Sequence, residues 1–507
     1  MKKIILITFS FIMLMLALTS CGISDTECEL EYTLLDDGTY EVTSVKGDGK
    51  CTEITVPAEV GGIKVTAIGA NAFASKTDLT RIVLPAGITH IGNGAFSGCS
   101  SLTQLDMPES LVSVGIDAFS GCHSLIELTA QTHAVNYVDG WIVSAHNVTG
   151  EVVVNDGTVG ISDYAFNTCE ISSVVLPDSL KYIGNCAFGD SQNKNDTLRR
   201  VDFGCGIVSI GYHAFYGCEK LAEVHIAEGT PWHTVKICDF GSPFIYAETV
   251  TLGDEPLKEI VIPDGVVEIP SNVFNHLSTL ESITIPDSVV KIGAGAFENT
   301  SKLGRIYIDS LEQWCKIDFE DKFSNPLGDN LLYVNGESVH TVKIPDTITE
   351  IKPYAFYNAK TLVSVDVGDG VTEIGNYAFA ECKNLEQVNM GSVKHIGDYA
   401  FTSTALTSIV IPDTVEYIGT WAFNYCTQAE SVVIGAAVKL IGQWAFCNLN
   451  SVNAIAFKDK DGWFVTENPD ATSGTPIDID EEGAYLVITP NVHNSDNPYL
   501  DFYWKKN

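Results

Sequence analysis

Positive charge is scarce in this sequence: 29 Lys and Arg face 65 Asp and Glu in 507 residues, a formal net charge of −36. No basic run occurs, and neutralising a phosphate backbone needs clustered Lys and Arg, so nucleic-acid binding is excluded as a function class. Methionine is almost missing, at 5 residues, while 43 glycines are spread along the chain. That balance argues against a helical bundle and for many turns and strands. The 14 cysteines contain no Cys-x-x-Cys pair, the 11 histidines contain no His-Glu-x-x-His, and no Gly-x-Ser-x-Gly occurs. The spacings that build zinc sites, metalloprotease centres and serine-hydrolase elbows are therefore absent. No metal, cofactor or catalytic residue is expected. Past the amino terminus, no stretch stays apolar long enough to span a bilayer.

What is present is a chain able to bury a large core, with 45% hydrophobic and 19% charged residues. Its first feature is an export signal. Lys2 and Lys3 precede an apolar run from Ile4 to Leu18, the length of a signal-peptide core and too short for a spanning helix. The run ends at Leu18-Thr19-Ser20-Cys21, which resembles a bacterial lipobox. That resemblance implies a lipoprotein signal peptide over residues 1–20, lipid on Cys21 and a tether over 21–27. Several acyl chains, at about 0.8 kcal/mol per buried methylene, anchor firmly. The expectation is an exported protein, lipid-anchored to the bacterial cell membrane and exposed at the cell surface.

Almost everything else repeats. The dipeptide Ala-Phe recurs at Phe73, Phe96, Phe119, Phe166, Phe188, Phe215 and Phe297, then at Phe356, Phe379, Phe401, Phe423 and Phe446, with Val273-Phe274 as a variant. Most steps are 22 or 23 residues; Phe119 to Phe166 is 47, and Phe215 to Phe274 and Phe297 to Phe356 are each 59. A full unit reads Leu79-Thr80-Arg81-Ile82-Val83-Leu84-Pro85, then Ile88, Ile91-Gly92, Ala95-Phe96 and Cys99. The Leu-x-x-Ile-x-Leu piece reads as a short strand, and Pro, lacking an N–H, ends its ladder and turns the chain. Ile-Gly opens a second corner, where Gly takes a conformation closed to other residues, and Ala-Phe packs a large ring beside a small neighbour in every coil. One unit cannot bury itself but a stack can, so the fold class is a β-rich repeat solenoid.

These residues resemble the BspA-type leucine-rich repeat of bacterial surface proteins, over about Leu79 to Phe457. The resemblance implies a right-handed leucine-rich repeat coil over 69–457, capped at both ends. It also implies a surface role associated with adhesion to host proteins and coaggregation. Departures from the period mark special regions. Around 130–155 a degenerate coil lacks its Ala-Phe, with Trp141 expected to take the place of the ring. Structured insertions are expected at about 228–256 and 309–338, looking like copies of one another: Trp232 and Trp314 hold the same place before Pro263 and Pro345. Residues 28–68 read as a hairpin cap around Asp37-Gly38, and 458–507 as a carboxy-terminal cap.

Six cysteines, Cys99, Cys122, Cys169, Cys218, Cys382 and Cys426, sit three residues after a repeat Phe. In that phase they read as buried thiols, with coil-to-coil pairing the alternative. Cys28 and Cys51, flanking the hairpin, are the pair best placed for a disulfide. A solenoid without catalytic residues offers surface. Outward strand positions His225, Tyr307, Lys343, Asp366 and Asn389, with Trp232 and Trp314 of the insertions, form the expected ligand-contact face. The expected function is a monomeric, non-catalytic interaction protein that binds an extracellular protein or glycan. Two alternatives stay open: a structural envelope spacer without a ligand, and an exported glycan-active enzyme. The last would need paired carboxylates about 5 to 9.5 Å apart in a cleft.

Overall fold

The computed structural model describes residues 28–46, 51–128, 134–328, 330–479 and 501–506. Cys21 and the expected signal peptide and tether lie outside the described residues, as do parts of the degenerate coil and of the carboxy-terminal cap. The chain winds into a β-solenoid in which each coil lays down two short parallel strands. The first is the Leu-x-x-Ile-x-Leu piece: Arg200–Phe203 pairs with Glu223–Ile226, Val201 beside Val224 and Asp202 beside His225. Burial alternates along such strands, so Val201 and Phe203 face the core while Asp202 does not. A one-residue slip would turn every apolar side chain outward, which pins the register from coil to coil. The second strand is two residues ending in the Ile of Ile-Gly, as where Tyr182–Ile183 pairs with Ser209–Ile210.

The glycine after that Ile has a different reason from the one the sequence suggests. It has no positive φ at Gly92, Gly419 or Gly442; instead, a Cβ there would stand 2.6, 2.5 and 2.4 Å from the backbone N of Ala70, Asp398 and Thr420 respectively. Close approach of neighbouring coils requires it. The left-handed conformation falls on the residue before Ala-Phe, with φ +57 at Asn71, +58 at Tyr377 and +60 at Trp421. Ala and Phe themselves are buried. The rings pile face to face, Phe356, Phe379, Phe401, Phe423 and Phe446 standing 5.2–5.3 Å apart. Phe N–H also donates to the Ala carbonyl of the next coil, as from Phe379 to Ala400 at 2.8 Å.

The two insertions are variant coils of one design. In each, the outer strand (Thr249–Leu252, Leu331–Val334) continues the ladder and then folds back on Glu255–Pro256 or Glu337–Ser338, ending that sheet. Each insertion lacks Ala-Phe, so the next coil's Val273 or Ala355 carbonyl loses its usual donor. The indole Nε1–H of Trp232 donates to Val273 O (3.1 Å) and that of Trp314 to Ala355 O (2.8 Å), both across 41 residues of chain. A Trp on a short helical turn, Trp232–Thr234 or Leu311–Trp314, thus replaces a main-chain bond.

The degenerate coil differs from expectation. Ala134–Val138 and Trp141–His146 form an antiparallel hairpin. Trp141 lies beside Gly160, two coils from Tyr182, on which its ring stacks at 6.1 Å. It therefore does not fill the Phe column, and Gly160 is required because a Cβ there would meet the Trp141 ring at 2.3 Å. The core divides at this coil, one cluster running from Val42 to Val143 and the other from Val135 to Trp504. At the ends, antiparallel strands close the stack. Glu29–Leu34 pairs with Tyr40–Lys46, and Tyr503–Lys506 covers Leu440–Ile441.

Candidate ligand-binding surface

The outward strand positions are distributed over three separate sheets. His225 lies between Asp202 and Thr251, Tyr307 between Thr284 and Tyr333, and Lys343, Asp366 and Asn389 follow one another on a third sheet. Neighbours engage one another: His225 Nδ1 meets Thr251 Oγ1 at 2.9 Å, Tyr307 stacks on Tyr333 at 4.8 Å, and Asn389 Nδ2 donates to Asp366 Oδ1 at 3.1 Å. Trp232 and Trp314 do not belong to any contact face. They are 5% and 1% exposed, and their indoles point inward to the carbonyls they satisfy.

A second column, at the corner, is where aromatic side chains gather. The residue before Ala-Phe is Tyr354, Tyr377, Tyr399, Trp421 and Trp444 in five successive coils, each with φ between +56 and +62. All five are half-buried, and their rings stack 5.2, 4.6, 5.9 and 5.2 Å apart with planes within 8°. Faces cover faces, so a partner meets ring edges. Burial, reinforced by the neighbouring phenols and Asp398, pushes the Tyr377 hydroxyl up to about 12 and keeps it protonated. Beside the rings runs a polar ladder in which Asn376 Oδ1 accepts from Asp398 N and Asp398 Oδ1 from Thr420 N, at 2.8 and 2.7 Å. Reading the residue before each Ala-Phe as a column would have exposed these rings in the sequence.

Earlier along the same column, Tyr164, Cys186 and His213 border a pocket of about 510 Å³ that also involves Asp163, Asp190 and Tyr212. A long step not singled out in the repeat, Phe188 to Phe215, creates it. The corner bond from Tyr212 N to Asn185 Oδ1 spans 27 residues where its neighbour from Asn185 N to Asp163 Oδ1 spans 22. The surplus forms a loop whose turn is tied by Asp190 Oδ1, accepting from Gln192 N and Asn193 N at 2.6 Å each.

Among the described residues no group of His, Cys, Asp or Glu is arranged to hold a metal ion, and no helix is long and apolar enough to cross a membrane. Cys28 and Cys51 are joined in a disulfide, with Cα atoms 6.1 Å apart. The six repeat cysteines are free and buried, whereas Cys205 and Cys238 are free and exposed. Repeat thiols donate to carbonyls, as Cys122 Sγ does to Phe96 O at 3.1 Å and Cys382 Sγ to Phe356 O at 3.0 Å.

The chain is similar to several solved bacterial structures. A leucine-rich repeat protein from Bacteroides ovatus is 22% identical, over 86% of this chain and 100% of that one, with a TM-score of 0.36. A leucine-rich cell surface protein from Faecalibacterium prausnitzii is 22% identical over 87% and 96%, TM-score 0.32. The pneumococcal vaccine antigen PcpA is 17% identical over 93% and 98%, TM-score 0.32. No curated protein matches significantly. The model of the BspA-type leucine-rich repeat region matches residues 66–195, 159–232, 251–324 and 328–460. With most of its length covered by that model, the chain belongs to the BspA-type leucine-rich repeat family.

Proposed function

We propose that this protein is a lipid-anchored bacterial surface protein, without catalytic activity, that binds an extracellular protein or glycan through its corner column. The observation that carries this reading is the run of five stacked rings from Tyr354 to Trp444. Asn71, Asn272 and Gly295 occupy the same left-handed position elsewhere in the chain. The fold accepts small residues there, and a bulky side chain with positive φ is otherwise disfavoured. Because ring faces are occupied by one another, the column suits a protein partner better than a sugar, which would stack on a free face. Anchoring is supported by the lipobox-like Leu18-Thr19-Ser20-Cys21, and the surface setting by membership of the BspA-type leucine-rich repeat family.

The test is a binding panel of extracellular-matrix proteins and glycans, using the full chain and a Tyr377→Asn, Tyr399→Asn, Trp421→Asn variant. Asparagine keeps the backbone conformation that Asn71 and Asn272 adopt. Saturable binding lost in the folded variant supports the reading. Binding that survives all three substitutions removes the corner column from it, and no binding to any panel member favours a spacer. Separately, Cys21→Ser is expected to move the protein from the membrane fraction to the soluble one.

A further inference from the structure

The corner column has a missing ring. Tyr164, Cys186, His213 and Phe240 stand on successive coils, all with positive φ. Backbone bonds from Tyr164 N to Asn185 O and from Cys186 N to Tyr212 O join the first three. Where every coil carries a ring, centroids are 4.6–5.9 Å apart. A coil carrying a thiol instead leaves the side chains before and after it two strand spacings apart, roughly 10 Å. That separation exceeds the roughly 7–8 Å that one flat group needs to touch both sides, and the Cys186 thiol, hydrogen-bonded to Tyr164, lines it. The 510 Å³ pocket opens at this place. Tyr164 borders it from one side, and from the other Tyr212, backed by His213 at 3.8 Å.

We propose that this pocket takes a planar cation, the guanidinium of an arginine side chain presented by a protein partner. The proposal rests on reading the corner column as a contact surface, and it adds the chemistry of what is recognised. Two carboxylates border the gap, and among the described residues neither is ion-paired. Asp163 accepts only neutral donors, Asn185 N at 2.7 Å and Asn185 Nδ2 at 3.1 Å, one on each oxygen. Each oxygen keeps a lone pair for an incoming N–H. Burial pushes the Asp163 carboxyl up, and a guanidinium in the pocket would reverse that. Burial also lowers His213, against the pull of Asp190, so the wall carries no competing charge at neutral pH. A guanidinium stacks on rings and forks onto a carboxylate, which a compact ammonium does not. The net charge of −36 draws a cationic partner from a distance.

The probe is N-acetyl-arginine amide, titrated onto the full chain by saturation-transfer NMR beside the citrulline and lysine analogues. The key variant is Cys186→Tyr, which supplies the missing ring at the left-handed φ that Tyr164 and Tyr377 also adopt, in place of a thiol that is itself buried. Saturable arginine binding is expected, at least tenfold weaker for citrulline and for lysine. It should be lost in Cys186→Tyr and reduced at least tenfold in Asp163→Asn, with circular dichroism and unfolding midpoint unchanged in Cys186→Tyr. Absence of saturable arginine binding, or equal binding of citrulline, overturns the proposal. So does equal binding of lysine, or binding retained in Cys186→Tyr. The triple asparagine variant at 377, 399 and 421 leaves this pocket intact and should bind the probe normally, so failure of the contact-surface reading and failure of the arginine pocket are told apart.

Discussion

At the residue scale, the repeat cysteines show how one position in the coil sets chemistry. At the six repeat cysteines, three residues after Phe, the side chain is buried in the stack, and burial pushes the thiols of Cys218 and Cys382 up to about 12 and that of Cys426 up to about 11. The thiolate is the reactive form. At pH 8, iodoacetamide on the folded protein is expected to label the exposed Cys205 and Cys238 and to leave the buried Cys218, Cys382 and Cys426 unmodified until denaturant is added. Mass spectrometry reads this directly, and labelling of any of those three at the rate of the exposed pair would contradict it. The glycine after Ile offers a second check. Gly419→Ala brings a Cβ to 2.5 Å from Asp398 N, whereas at Gly304 the nearest atom is 3.8 Å away. Gly419→Ala is expected to cost about 1–3 kcal/mol in urea unfolding, and Gly304→Ala to be close to neutral. The sequence displays these glycines clearly, but only neighbouring coils reveal that contact, not φ, requires them.

At the scale of elements, the insertions make a matched pair with an instructive asymmetry. Trp232→Phe removes the side-chain donor to the buried Val273 carbonyl and is expected to destabilise by about 1–3 kcal/mol. Trp314→Phe should cost less, because Asn325 Nδ2 also donates to Ala355 O at 2.9 Å. Adding Asn325→Ala to Trp314→Phe should restore the larger loss, as read from urea midpoints of the four proteins. The extra loop near the pocket gives a pH signature. Burial pushes the Asp190 carboxyl up, but bonds from Asn193 N, Gln192 N and the Asn167 amide outweigh that and hold it below the usual carboxylate range. Its contribution is therefore complete above the unfolded carboxylate pKa of about 4 and is lost as pH falls through the lower folded value. The stability gap between wild type and Asp190→Ala should be widest at pH 7 and close on acidification. A gap that stays constant down to about pH 3 would assign the loop's stability to something else. That the insertions are copies was legible from Trp232 and Trp314. Their inward direction was not, because a tryptophan in a non-repeat segment reads equally as an anchor or a contact.

Across the whole molecule, the hairpin at Ala134–His146 divides one long core into two. Solenoid stability is a sum of coils and their interfaces, so a cavity in one block should be felt mainly there. Phe96→Ala, which empties a ring site between Phe73 and Phe119, is expected to cost about 3–5 kcal/mol. Hydrogen exchange should lose protection in residues 51–128 and keep it at 354–446; uniform loss along the chain would mean the hairpin does not uncouple the blocks. The period alone determined the architecture, because Phe, Ala, Ile, Gly and Pro returning in phase leave each coil only one register in which apolar groups meet. The residues that line the candidate surfaces were decided by the tertiary structure. Stacking sets side by side residues that are 22 to 27 positions apart, and the left-handed turn before Ala-Phe carries one side chain per coil to the surface. Whether a column becomes a continuous ring stack or a pocket depends on one coil, through a thiol in place of a ring and a longer loop beside it, and the consequence exists only when the coils above and below are in place.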